Sequence, residues 1–253
     1  MRERASEHQE VEWQFEAPDL GRVESWLARH PSACGLAVIP RAARELTDTY
    51  YDTEDWRLYR AGYALRVRRD GEGAEATMKS LAPAEDALRR RREITEPLDR
   101  GVVAPRDTSG PVGERLRRLA GAGDLHPIFE VRTYRRTFAL RPERPFAEEI
   151  AKGASGDPGP RERDPAIGEV ALDESELSGE MSRRLSRVEV EVEAGFVQDV
   201  EEFVGRLREA LGLRPTETSK FEAGLSVAGL EPEGAPDASS GEDAGRADER
   251  EGR

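Results

Sequence analysis

A chain of 253 residues with a net charge of −13, 36% hydrophobic and 36% charged, has the length of one large domain or two small ones, and an all-β unit of this size is commonly single. Its acidity argues against general nucleic-acid binding through a basic footprint, with Arg89-Arg90-Arg91-Arg92 as a local exception. The single Cys34 excludes a disulfide framework and a cysteine metal cluster, and no apolar leader or span-length apolar stretch is present, so a cytoplasmic protein away from membranes is expected.

From the N-terminus, residues 1–7 read as a flexible arm. Residues 10–16 then alternate strictly, with Glu10, Glu12, Gln14 and Glu16 on one side and Val11, Trp13 and Phe15 on the other, which predicts a strand. Asp19 is placed to cap a helix carrying Val23, Trp26 and Leu27 and ending near His30-Pro31. A loop containing Pro40 follows. A second extended run, Leu46 to Tyr51, leads into the turn-rich Asp52-Thr53-Glu54-Asp55.

Tyr63 to Arg69 sets Leu65 and Val67 against Arg66 and Arg68. Asp70-Gly71-Glu72-Gly73 then closes a hairpin, because Asp-Gly supplies the positive φ of a tight turn. In the returning strand Ala76 and Met78 alternate with Glu75, Thr77 and Lys79. Residues 89–96 look uniformly charged until Ile94 fixes the phase, which puts Arg91, Glu93 and Thr95 on the polar side. Residues 112–120 read as a short helix, and Phe129 to Leu140 as a strand with Thr133, Arg135 and Thr137 on its polar side.

After a low-complexity loop from Lys152 to Pro165, Gly168 to Asp173 and Arg187 to Glu193 alternate again, the latter with Val188, Val190 and Val192 opposite Glu189, Glu191 and Glu193. Val197 to Leu211 has helical spacing and stops at Gly212. Residues 8–228 are therefore expected to form the folded domain. From Gly229 to Arg253 eight acids face three arginines with no apolar periodicity after Leu230, which predicts a disordered acidic tail.

Six or more strands thus share an apolar side and a side of uniform charge. A solvated sheet face laced with Glu–Arg pairs is one reading of this pattern. The other is a shared site, since like charges two residues apart on one face need a counter-charge, which metal ions and phosphate oxygens supply.

The order Glu10-Val11-Glu12, Tyr51-Asp52-Thr53, Leu65-Arg66-Val67-Arg68, Thr77-Met78-Lys79, Arg91-Arg92-Glu93, Arg135, Glu169-Val170-Ala171-Leu172-Asp173, Glu189-Val190-Glu191 and Ser219-Lys220-Phe221 resembles the CYTH superfamily of triphosphate tunnel enzymes over roughly residues 8–226. The resemblance implies a mostly antiparallel β fold: an eight-stranded tunnel with a polar lumen and helices packed outside. It implies Mg2+ or Mn2+ held by Glu10, Glu12, Glu189 and Glu191, phosphates bound by Arg66, Arg68, Lys79, Arg91, Arg135 and Lys220, and Glu12 with Glu191 as catalytic carboxylates.

The activity it implies is metal-dependent hydrolysis of a small triphosphate, with inorganic triphosphate favoured over thiamine or nucleoside triphosphates and no nucleic-acid partner expected. Class IV adenylyl cyclases are relatives in the same family. One departure stands out: the family's first motif reads Glu-x-Glu-x-Lys, and this chain has Gln14 at the lysine position. The loss of that positive charge leaves open a protein that binds polyphosphate or nucleotide without turnover.

Overall fold

The computed structural model describes residues 5–98, 105–143, 165–179, 182–216, 218–234 and 236. In chain order the elements are β1 (Ser6–Glu16), α1 (Leu20–Arg29), β2 (Ser32–Ala33), β3 (Leu36–Pro40), β4 (Arg44–Thr53), α2 (Arg57–Arg60), β5 (Tyr63–Arg69), β6 (Ala74–Ser80), β7 (Leu88–Leu98), α3 (Pro111–Ala120), β8 (Leu125–Pro142), β9 (Gly168–Ser178), β10 (Ser182–Val192), α4 (Val197–Leu211), β11 (Arg214–Pro215) and α5 (Lys220–Val227). The order β4-β5-β6-β7-β1-β10-β9-β8 closes on itself because β8 pairs with both β9 and β4. Every pairing is antiparallel, so the eight strands form a barrel without edges among themselves.

Closure explains why strict alternation produces strands buried on both faces. On the outside Val11, Phe15, Val188 and Val190 pack against Val23 and Leu27 of α1 and against Phe203 and Leu207 of α4. Across the barrel Leu65, Val67, Met78 and Ile94 pack against Val112 and Leu116 of α3 and against Leu58. Each such side chain contributes about 1.5–3 kcal/mol when fully buried, so these two layers fix the strand phase and turn the charged sides inward.

The inward faces are not polar throughout. At one end Tyr50, Ala64, Phe129, Val131, Leu177 and Leu185 meet Phe221, Leu225 and Val227 of α5, which closes that end with an apolar cluster. Helix α5 was not anticipated from periodicity, yet its start carries a capping box: Ser219 Oγ accepts from Glu222 N at 3.2 Å, and Glu222 Oε2 accepts from Ser219 N at 2.6 Å. The other helix ends follow the expected chemistry. Asp19 accepts from Arg22 N at 3.1 Å, and α4 stops at Gly212 with φ 62°.

Two stretches differ from expectation. Residues 31–40, expected as a loop, contain β2 and β3, because β3 extends the barrel wall beside the second half of β8, from Leu36↔Pro142 to Pro40↔Phe138. The same pairing lengthens β8 past its expected end. β1 starts at Ser6 and so reaches into the stretch read as an N-terminal arm, while residues 1–4 lie outside the described residues. So do 152–164 of the low-complexity loop and 237–253 of the acidic tail. The tail's first residues are placed: Leu230 N donates to Leu225 O at 2.9 Å and its side chain packs on the α5 cluster. No helix among the described residues is long and apolar enough to cross a membrane.

Candidate active site

Inside the barrel, adjoining strands aim their charged sides at one cavity of about 230 Å³. All ten residues expected at the site line it: Glu10 and Glu12 from β1, Arg66 and Arg68 from β5, Lys79 from β6, Arg91 from β7, Arg135 from β8, Glu189 and Glu191 from β10, and Lys220 from the first turn of α5. Gln14 and Glu93 line it as well.

The charges are arranged as three ion clusters. On one wall Arg68 makes a fork to Asp48, with Nε–Oδ1 and Nη2–Oδ2 both at 2.8 Å, and Arg66 Nη1 lies 3.8 Å from the same carboxylate. On a second wall Lys79 bonds Glu10 and lies 2.7 Å from Glu93, while Arg91 bonds Glu12 and lies 3.2 Å from Glu10. Gln14 Nε2 donates to Glu12 Oε1 at 2.9 Å. On the third, Arg135 reaches Asp173 at 2.7 and 2.6 Å and Glu189 at 2.7 Å, and Lys220 bonds Asp173 and Glu189, the latter at 2.8 Å.

Burial by itself would push Asp48 up, but Arg66 and Arg68 outweigh it and hold the carboxyl well below its usual range. The same contest holds Glu93 at about 2, through Lys79 and Arg66, and pulls Glu189 far down through Lys220 and Arg135. Lys79 is raised because Glu10 and Glu93 overcome the cost of its burial. Glu191 differs from all of these. It forms no ion pair among the described residues, and its pKa is raised by burial, opposed by Lys79 and reinforced by Glu10 and Glu93. Protein crowds this carboxylate, but it remains exposed to the water of the cavity.

Among the described residues no three metal-type side chains stand close enough together to ligate an ion as they are placed. The donor set nevertheless suits a hard divalent cation, which prefers carboxylate oxygens. Glu12 faces Glu191 directly across the β1–β10 ladder, and Glu191 forms no ion pair among the described residues. Glu10 Oε2 is buried without a hydrogen bond, although Arg91 Nη2 lies nearby.

Several site residues were not singled out from the sequence. Asp48 is 1% exposed and anchors Arg66 and Arg68, but it shares its strand face with Leu46 and Tyr50, so that strand showed no uniformly polar side. Asp173, part of the motif Glu169-Val170-Ala171-Leu172-Asp173 but without a place among the expected site residues, is fully buried and anchors Arg135 and Lys220. The aromatic residues Tyr50, Tyr51 and Trp56 pack within the protein: Tyr50 stacks on Phe129 with centroids 4.6 Å apart, and the other two join the apolar clusters. Glu169 pairs with Arg41 at 3.3 Å. A second cavity, about 700 Å³, adjoins the first through Ser80, Leu81, Arg91, Ser219 and Phe221, and residues after Gly229 complete its wall.

A family model described as the CYTH domain matches residues 34–225. No curated protein matches the chain. Among solved structures, HpAC1 from Hippeastrum, an adenylyl cyclase by name with a dominant triphosphatase activity, superposes with TM-score 0.60 at 14% identity, covering 88% of this chain and 97% of that one. A Bacillus halodurans protein named as an adenylate cyclase gives TM-score 0.54 at 17% identity over 85% and 95% of the two chains. PH1819 from Pyrococcus horikoshii gives 0.52 at 18% identity over 86% and 98%. At these identities the likeness establishes the shared fold.

Proposed function

Because the chain belongs to the CYTH domain family, we propose that it hydrolyses a small triphosphate with the help of a divalent cation, Mg2+ or Mn2+. The observation that carries this reading is the convergence of six bases and four glutamates from seven elements on one cavity of about 230 Å³. Internal salt bridges alone are a poor reason to bury so many charges, since desolvation offsets most of the Coulomb gain.

Arg66, Arg68, Lys79, Arg91, Arg135 and Lys220 are the groups that bind the phosphate oxygens, the arginines as forks and the lysines as point charges. Glu10, Glu12, Glu189 and Glu191 would hold the cation, which when bound neutralises charge on those oxygens. The chain's own work is positioning and proton handling. A water held by Glu191 and Glu12 attacks the terminal phosphorus in line, its proton passes to the Glu191 carboxylate, the P–O bond to the bridging oxygen breaks, and phosphate and diphosphate leave. A raised carboxyl pKa suits Glu191 to accept that proton near neutral pH. Gln14 fixes Glu12 through its amide in place of contributing a charge.

A specific observation favours a second reading, in which the substrate is a triphosphate ester. The adjoining 700 Å³ cavity carries Tyr59, Leu81, Phe221 and Leu225 and shares Arg91 with the charged cavity, so it offers an organic group a place next to its own phosphates. The experiment is a substrate panel: tripolyphosphate and nucleoside and thiamine triphosphates, each with Mg2+ and Mn2+, followed by phosphate release and by cyclic nucleotide formation. Release from at least one is expected. Tight binding with no product from any of them would replace the hydrolase by a binding protein.

A further inference from the structure

Helix α5 ends in a way that fixes where the chain goes next. Gly229 has φ 65°, its N–H donates to Ser226 O at 3.3 Å, and Leu230 N donates to Leu225 O at 2.9 Å. These two bonds form a Schellman motif, and its usual apolar contact is present as well, because the half-buried Leu230 packs on the cluster that contains Leu225. The chain therefore leaves the helix in a set direction. It then passes α2, where a Cβ at Gly234 would lie 3.7 Å from Cδ of Arg60, the residue after Tyr59.

Leu230, Pro232 and Pro236 of this stretch lie in the wall of the 700 Å³ cavity, together with Tyr59, Leu81 and Phe221. A stretch that served only to cover α5 would settle onto those apolar side chains, since protein interiors leave few voids larger than a water molecule. Here it leaves a space within the range of small-molecule sites, about 300–1,000 Å³.

Two features indicate what fills that space. Ser80, Leu81, Arg91, Ser219 and Phe221 line both this cavity and the charged one, where Arg91 pairs with Glu12. A ligand that occupies both has phosphates at one end and apolar surface at the other. The apolar wall is made largely of rings, those of Tyr59, Phe221, Pro83, Pro232 and Pro236, which suits a flat ring better than a flexible chain.

We propose that Leu230, Pro232 and Pro236, on the stretch that leaves α5, are specificity determinants: they wall a pocket for the aromatic or heteroaromatic group of a triphosphate ester. This assignment rests on the charged cavity being the triphosphate site, and it names the part of the chain that selects the ester over inorganic triphosphate.

Metal-free calorimetry on the full chain tests it with four probes: tripolyphosphate, methyl triphosphate, ATP and thiamine triphosphate. Methyl triphosphate carries the ester bond without a ring. At least one of the two ring-bearing esters should bind about tenfold tighter than methyl triphosphate, equivalent to about 1.4 kcal/mol. Leu230→Asp, which releases the stretch from α5, should remove that preference. So should Ser226→Trp, which fills the pocket from an exposed position of α5 and leaves the core untouched. Both variants should leave tripolyphosphate affinity within about twofold of the parent.

The proposal is overturned if neither ring-bearing ester binds tighter than methyl triphosphate, if Ser226→Trp leaves the preference intact, or if both variants weaken tripolyphosphate as much as the esters. Tripolyphosphate binding without a ring preference removes this assignment alone, whereas failure of all four probes to bind removes the reading of the charged cavity along with it.

Discussion

Glu12 and Glu191 stand directly opposite one another on adjacent strands of the barrel, and among the described residues Glu12 is ion-paired, to Arg91, while Glu191 is not. Like charges in that position destabilise a ladder, so the fold tolerates a local repulsion at the place where a cation and a polyphosphate would meet.

Glu191→Gln separates function from stability. Since the folded pKa of Glu191 lies above its unfolded value, the ionised form is penalised at pH 7, and the penalty disappears once the pH falls below the unfolded value of 4.5. The variant should therefore unfold at a higher temperature than the parent near pH 7 and at the same temperature near pH 4. Its metal-dependent turnover should fall by about 100-fold or more, several kcal/mol of lost charge and water positioning. Stability curves at the two pH values and steady-state rates check both halves.

Asp48→Asn should be among the most damaging single changes, because it strips Arg66 and Arg68 of their common anchor in a buried setting. Breaking a buried pair by removing one partner costs about 3–5 kcal/mol. Asp48 is held below the 3.8 of an ordinary aspartate by Arg66 and Arg68, and Glu93 is held at about 2 against the 4.5 of an ordinary glutamate by Lys79 and Arg66. Their pairing thus contributes fully above pH 4.5 and is lost as the pH falls towards 2 and below. Denaturant titrations should show the gap between parent and variant closing over that interval.

Helix α3 owes its position to Glu96, whose carboxylate accepts from Gly110 N at 2.8 Å, Val112 N at 3.1 Å and Thr108 Oγ1 at 3.0 Å. Glu96→Ala orphans these donors and should cost about 2–3 kcal/mol by urea unfolding. The residue does not line the cavity, so the rate of the folded fraction should hold. A parallel loss of turnover would mean that the outer helix controls the tunnel geometry.

Where a strand keeps one apolar and one charged side, both its phase and its site residues could be read from the chain, as with Glu10/Glu12, Arg66/Arg68 and Glu189/Glu191. Even the run Arg89 to Arg92 yielded its phase from Ile94: Arg91 lines the cavity and Arg92 pairs outside with Glu7. What stayed hidden depended on closure. Alternation cannot tell a solvated face from a lumen, so the burial of Asp48, Arg89 and Arg187 was not legible, and neither was the apolar end plugged by α5. The short β3 was masked by Pro40, which is tolerated there as the last residue of its strand.

Gly224 in α5 leaves no room for a methyl group, since a Cβ there would lie 2.0 Å from Cε2 of Phe129. Gly224→Ala should cost about 1–3 kcal/mol by overpacking. Pushing α5 outward also draws Lys220 away from Glu189 and Asp173, so a rise in KM for the triphosphate is expected along with the lower Tm.

The most direct test is phosphate release from tripolyphosphate and from nucleoside and thiamine triphosphates by purified protein with Mg2+ or Mn2+, measured beside Glu12→Gln. Metal-dependent release by the parent on at least one of these, abolished in the variant while its fold is retained, is the predicted result. A folded parent that releases no phosphate from any of them with either metal, or a Glu12→Gln protein that turns over at the parental rate, would contradict the assignment of the tunnel as a hydrolytic site.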